Sequence, residues 1–286
     1  MAFLAEKVVK ILADKQPYLN ITPADLLCVT VAGLCHDLGH GPFSHVFDNV
    51  FMNHRIKERQ ERLGRPFKEW RHEDASVEML RYILSDNNLN LSEYGLSAVD
   101  LTFIEEIIRG TKEKDRIGRP REKFYLYDIV NNNRSGLDVD KIDYFLRDIR
   151  HTNVLGCLPI TFNRFIEFGR VLRAEPIRFS SSPCPCPCPS PSVVSSGADS
   201  PFPSSPALPS DFRALSKQIS LTSTNNTSSI NVSQKEREEE KTSYDYMVCY
   251  PQKLASEAGE FFSTRFRMHQ LVYSHKTTRK IEHMVG

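Results

Sequence analysis

The stretch Thr22–Asp48, TPADLLCVTVAGLCHDLGHGPFSHVFD, decides how this chain folds. Thr22 offers a hydroxyl cap, Pro23 suits the first helical position and Asp25 supplies a carboxylate at the third, which together read as a capped helix start. Apolar residues carry that helix to Cys35, and Gly39, Gly41 and Pro42 break it. His36 and Asp37 therefore fall at its C-terminal end, where the chain turns. Adjacent side chains diverge by about 100° within a helix, so a His-Asp doublet can face one ion only where the helix stops.

Outward from this stretch the chain reads as helical. MAFLAEKVVKILADK, from Met1, scatters Glu6, Lys7 and Lys10 among apolar residues, which predicts an amphipathic helix and excludes a signal peptide. SAVDLTFIEEIIRG starts with Ser97 as cap and Asp100 three residues on, repeats Leu101, Ile104, Ile107 and Ile108 at helical spacing, and ends at Gly110. In GLDVDKIDYFLRDI, Val139, Ile142, Leu146 and Ile149 recur at three and four. TRFRMHQLVYSHKTTRKIEHM is helical in pattern with a basic outer face. No alternating segment is long enough to suggest a sheet, so the expected fold class is all-α.

Composition bounds the function classes. Lys plus Arg number 37 against 36 Asp plus Glu, a balance that gives no bulk pull toward nucleic acid or an anionic membrane. The densest apolar run, Leu26–Cys35, is far short of the roughly 20 residues that span a bilayer. The seven cysteines are an odd number, and Cys184, Cys186 and Cys188 alternate with prolines in PCPCPCP. That pattern is unlike a disulfide framework and points to a reducing compartment, nucleus or cytoplasm. The sequons at Asn20, Asn225, Asn226 and Asn231 then read as chance matches.

Between residues 175 and 244 the composition changes to Ser- and Pro-rich, then to the charge run KEREEEK. Such a stretch buries too little apolar surface to offset chain entropy of roughly 1–2 kcal/mol per residue and reads as a disordered insert. A phosphorylation or docking segment and a retained intron are alternative readings. The expected organisation is a helical domain over 1–174, the insert over 175–244, and a continuation of the helical region over 245–286.

Three clusters could carry chemistry. His36, Asp37, His40, His45 and Asp48 combine imidazole and carboxylate, donors that suit a divalent metal such as Zn, Fe, Mn or Mg. Arg71, His72, Glu73 and Asp74 form a charged RHED run that, taken alone, reads as a solvated turn. Asp140, Tyr144 and Asp148 lie at i, i+4 and i+8 with Lys141 beside them, one polar stripe on a helix. Such a stripe fits a metal-phosphate pocket, with Asp140 toward the cation and Lys141 and Tyr144 toward phosphate. It equally fits an exposed face with an Asp-Lys pair worth a few tenths of a kcal/mol.

AGLCHDLGHGPFSHVFD, WRHEDAS, GLDVDKIDYFLRD and STRFRMHQLVYSHK resemble, in order and spacing, the HD-domain deoxynucleoside triphosphate triphosphohydrolases, enzymes that carry a SAM and an HD domain. The resemblance covers most of 1–174 and 245–286. It implies an all-helical HD fold, His36, Asp37 and Asp140 as metal ligands, and His40, His45 and His72 around the triphosphate, with Asp48 and Glu73 supporting the histidines. It also implies Lys141, Tyr144, Asp148, Arg265 and Tyr273 as nucleotide contacts. The implied reaction releases deoxynucleoside and inorganic triphosphate from a dNTP, with His45, oriented by Asp48, as the acid that protonates the leaving oxygen.

The family's first metal histidine would precede Met1, as would its SAM domain and regulatory segments; His54 and His151 lie in no matching motif. The chain is thus expected to be a portion of a larger enzyme, with metal binding weakened by the missing ligand. Two competing readings stand beside this one. The first is another HD phosphohydrolase acting on a nucleoside monophosphate or cyclic nucleotide. The second is a non-catalytic protein that uses Arg265, Arg267, Lys276, Arg279 and Lys280 on single-stranded nucleic acid or on an intact paralogue. Beyond the dNTP, candidate partners are a second copy of the chain and single-stranded nucleic acid, and no membrane.

Overall fold

The computed structural model describes residues 1–153, 162–174 and 245–285. Helix α1 (Ala2–Lys15) lays Ala5, Val9 and Leu12 against Cys28, Val29 and Ala32 of α2 (Pro23–Cys35). After α2 come a π-helical turn (Phe47–Met52), α3 (Asn53–Leu63), α4 (His72–Asp86) and α5 (Ala98–Arg109). From α5, Phe103, Ile104 and Ile107 close the same core, each at most 2% exposed. Burying one such side chain contributes about 1.5–3 kcal/mol, so this three-helix contact is what holds α2 in place. By contrast α3 buries no residue.

The short α6 (Tyr127–Val130) leads to α7 (Val139–Thr152), followed by α8 (Phe162–Phe168). After residue 250 come α9 (Ala255–Met268), a π-helical turn (His269–Tyr273) and α10 (Lys276–Val285). A second apolar cluster joins Ile142, Phe145 and Ile149 of α7 to Phe162 and Phe165 of α8 and to Phe261 and Met268 of α9. Helix α7 thus keeps one face for this cluster, with Tyr144 at its margin, and leaves Asp140 and Asp148 on the polar side.

Both predicted helix starts are capping boxes. Asp25 N donates to Thr22 Oγ1 at 3.1 Å while Thr22 N donates to Asp25 Oδ2 at 2.9 Å, and Ser97 and Asp100 repeat the arrangement at α5. A tertiary contact absent from any local pattern ties the two boxes together. Arg119 Nε donates to Asp25 Oδ1 at 2.6 Å and its Nη2 to Asp100 Oδ1 at 2.5 Å, while Lys123 Nζ lies 2.5 Å from Asp25 Oδ2. Burial alone would raise the Asp25 carboxyl; the bonds from Lys123, Thr22 and Arg119 outweigh it and hold the pKa below the usual range.

A carboxyl whose pKa is depressed by folding stabilises the fold above its unfolded value, about 3.9, and loses that contribution as the pH falls through the folded value. Asp25→Asn is therefore expected to cost about 1–2 kcal/mol at neutral pH, because Arg119 retains Asp100. The gap between variant and wild-type melting temperatures then narrows once the pH drops below 3.9. A gap that stays constant from pH 7 to pH 3 would count against the network.

The structure corrects the expectation of no sheet. β1 (Arg170–Ala174) and β2 (Asp245–Cys249) pair antiparallel, Val171 opposite Val248 and Ala174 opposite Asp245. Strands of five residues leave too little alternation to read, and their partner lies across the compositional insert, so pairing appears only in three dimensions. Gln16 anchors the sheet, its Nε2 donating to Val171 O at 2.8 Å and its Oε1 accepting from Val171 N at 2.7 Å. The insert assigned to 175–244 lies outside the described residues. Among the described residues no helix is long and apolar enough to cross a membrane.

Candidate metal and phosphate site

The C-terminal end of α2 carries the His-Asp doublet, and α4 holds it there. Ser76 Oγ donates to His36 O at 2.6 Å and accepts from Gly39 N at 2.9 Å. Gly39 is required by close approach: a Cβ there would lie 2.3 Å from both His72 O and Ser76 N. This contact brings the turn after Asp37 against the first residue of α4, which is His72.

Two groups of potential ligands result. In the first, His36, Asp37 and Asp140 place one donor atom each within 4.8 Å of one another. His36 Nδ1 is 3.0 Å from Gly33 O, which sets Nδ1 as the protonated nitrogen and turns Nε2 inward. That Nε2 lies 3.2 Å from Asp37 Oδ2 and 3.4 Å from Asp140 Oδ1, buried and without a hydrogen bond. Burial would lower the His36 pKa, but the Asp140 and Asp37 carboxylates overcome it and push it up to about 10, so a proton and a cation compete for the same Nε2. An orphaned imidazole nitrogen facing two carboxylates has the donor set of a divalent-cation site. Neither His54 nor His151, both exposed, joins this group.

The second group is His40, His45, His72 and Asp48, again within 4.8 Å. The His40 and His72 rings stack at 3.8 Å and 16°, with His45 edge-on to both at 5.1 and 5.8 Å. Asp48 Oδ2 is 3.0 Å from His72 Nδ1, 3.3 Å from His40 Nδ1 and 3.9 Å from His45 Nδ1. Asp48 thus lies closer to His72 and His40 than to His45, whose ring is 74% exposed. Burial and then the neighbouring His72 charge lower the His40 pKa. Glu73 stands 3.7 Å from His72 Nδ1 and pairs with Arg71 at 3.3 Å.

Asp37 joins the two groups. Its Oδ2 faces His36 while its Oδ1 lies 3.6 Å from His40 Nε2. Burial opposes ionisation of Asp37, and His36, with the charges of His40 and His72, holds its carboxyl below the ordinary range.

The α7 stripe divides. Asp140 turns to His36, whereas Tyr144 and Asp148 meet α9 and its continuation: Tyr273 donates to Asp148 Oδ2 at 2.6 Å, and Arg265 reaches the Tyr144 hydroxyl. Burial pushes the Tyr144 phenol up to about 12. Lys141 Nζ rests 2.5 Å from Asp138 Oδ2, so its ammonium serves the buried cap of α7 in this conformation. Of the basic residues at the C-terminal end, Arg265 points inward, while Arg267, Lys276, Arg279 and Lys280 are exposed.

Sequence reading overlooked Trp70, Ser76 and Asp138. Trp70 Nε1 donates to Asp48 Oδ1 at 3.2 Å, across 22 residues of sequence. Its one signal was rarity, being the single tryptophan of the chain two places before His72. Ser76 sits inside a helix and Asp138 had a cap position to suggest it, but neither lies in a recognisable metal pattern.

The model of the HD domain family matches residues 1–148. The chain is 45% identical over 185 residues to the mouse deoxynucleoside triphosphate triphosphohydrolase SAMHD1, an alignment that covers 61% of this chain and 26% of that protein. The human protein of the same name is 42% identical over 185 residues, covering 61% of this chain and 28% of its own length. A SAMHD1 homolog of Dictyostelium discoideum is 29% identical over 287 residues, taking in 100% of this chain and 37% of that protein. The chain therefore spans well under half the length of these curated relatives.

Proposed function

Because the chain belongs to the HD domain family, whose model matches residues 1–148, we propose that it hydrolyses deoxynucleoside triphosphates to deoxynucleoside and inorganic triphosphate. One observation carries this reading: Asp37 faces the His36/Asp140 group with one oxygen and the imidazole group with the other. A cation site and a three-histidine anion site are thereby contiguous, as a triphosphate with its reacting phosphorus would need. The names of the mouse and human relatives support the same substrate class.

His36, Asp37 and Asp140 would hold a divalent cation, with zinc, iron, manganese and magnesium all compatible with the donors. Such an ion supplies Lewis acidity at phosphate and lowers the pKa of water, effects worth several kcal/mol. His40 and His72, stacked at 3.8 Å, would donate hydrogen bonds to phosphate oxygens. We assign His45 to protonate the leaving 5′-oxygen, since it is the most open of the three imidazoles and imidazole is the side chain best suited to general-acid work. Tyr144, Asp148, Arg265 and Tyr273 form one contiguous polar surface that would contact the sugar and base. The free thiols of Cys28, Cys35 and Cys249 suit action in the nucleus or cytoplasm.

Product analysis tests the reaction. With dGTP and a series of divalent metals, the expected products are deoxyguanosine and inorganic triphosphate in equal amounts. Release of orthophosphate, or turnover of nucleoside monophosphates alone, would move the chain to a different HD phosphohydrolase activity.

A further inference from the structure

The carboxylate beneath the three imidazoles has its two oxygens in different situations. Asp48 Oδ1 accepts the indole N–H of Trp70 at 3.2 Å. Asp48 Oδ2 is buried, faces the Nδ1 atoms of His72, His40 and His45, and is aligned for a hydrogen bond with none of them. Among the described residues, Trp70 is therefore the one hydrogen-bond donor to this carboxylate.

The chemistry of the donor makes the contact informative. An indole N–H donates only and does not titrate, so its bond to Oδ1 persists whatever the charge on the histidines. Oδ2, which accepts no hydrogen bond here, is the oxygen that faces the three Nδ1 atoms, and an Nδ1–H turned onto it would direct Nε2 away from Asp48. Trp70 is itself held: Phe47 meets its ring edge-on at 6.2 Å, and it lines a surface cleft with Met52, Ile56 and Phe67.

We propose that Trp70 is a positioning residue of the phosphate site: its indole N–H fixes the Asp48 carboxylate so that the free oxygen sets the orientation of His72 and His40 toward a bound triphosphate. The proposal rests on the triphosphohydrolase reading. Trp70 acts through Asp48, to which its indole N–H is bonded.

Two replacements separate positioning from packing. Trp70→Phe removes the N–H and part of the ring; incorporation of β-(3-benzothienyl)alanine at the single tryptophan position replaces only the N–H by sulfur and keeps the shape. Both are expected to lower kcat for dGTP by about ten- to a hundredfold, the range for outer partners of reacting groups, with KM and metal content nearly unchanged. Should Trp70→Phe fail to fold, the sulfur analogue decides. A kcat within about twofold of wild type in that analogue, or a loss confined to KM, overturns the proposal.

A second measurement is independent of turnover. The chain has one indole, hence one ¹⁵N indole resonance. It is expected to move when inorganic triphosphate is added, and Asp48→Ala is expected to shift it and abolish the response. A resonance indifferent to both overturns the positioning role. An inactive wild-type chain whose resonance still responds would remove the dNTP reaction and keep the Trp70–Asp48 role.

Discussion

Asp37→Ala is expected to strip the chain of bound divalent metal and to lower dNTP turnover by about a thousandfold or more, while the helical circular dichroism stays unchanged. The side chain is 55% exposed, so the fold loses little packing. What is lost is the group that serves both halves of the site, 3.2 Å from His36 Nε2 on one side and 3.6 Å from His40 Nε2 on the other. A thousandfold corresponds to about 4 kcal/mol, within the several kcal/mol that a site-bound cation contributes. Elemental analysis of the purified variant beside wild type gives the first readout, and product assay the second. Equal metal content in the two proteins would show that the cation, if bound, sits elsewhere.

Gly39→Ala is the second large expected effect, and it acts on stability. The added carbon would stand 2.3 Å from His72 O and Ser76 N and 2.7 Å from Ala75 C, all backbone of α4, so no side chain can turn aside to make room. Helix α4 must move from the end of α2, weakening both hydrogen bonds of Ser76 and separating His40 from His72. Overpacking of this kind costs about 1–3 kcal/mol, and with rigid neighbours the upper end applies. For a protein of this size that lowers the melting temperature by about 6–12 °C.

Gly64→Ala provides the control for Gly39→Ala. Gly64 has φ of 62° but nothing within 4 Å of the added carbon, so only local strain of about 1 kcal/mol is expected there, with the histidine cluster intact. Thermal denaturation of the two variants, with histidine ring resonances as the site readout, separates the effects. A Gly39→Ala protein melting within about 2 °C of wild type would show that α4 yields freely.

Much of this was legible in the sequence because it depends on neighbours along the chain. The caps at Thr22 and Ser97, the end of α2 at Cys35 and the apolar spacing of α7 follow from interactions within a few residues, and the structure has each of them. The deepest side chain of α7, Phe145, was not in the recurring set, because spacing ranks faces and burial ranks depth. The short strands were missed since their pairing joins Arg170–Ala174 to Asp245–Cys249 across the insert.

For the site, proximity in sequence grouped His36, Asp37, His40, His45 and Asp48 as one cluster, and nothing local divided that cluster in two or added Asp140 and His72 to its halves. Tertiary packing places His36 against Asp140, stacks His72 on His40, and puts Asp48 nearer to these two than to His45. It also commits Lys141 to Asp138 and brings the Trp70 indole to Asp48. Sequence by itself determined the helical class, the helix ends and the chemical inventory, because periodicity and capping act over one or two turns. Only the folded chain decided which donors stand together and which oxygen faces which ring, because those distances depend on how α2, α4 and α7 are held by cores whose residues are far apart in sequence.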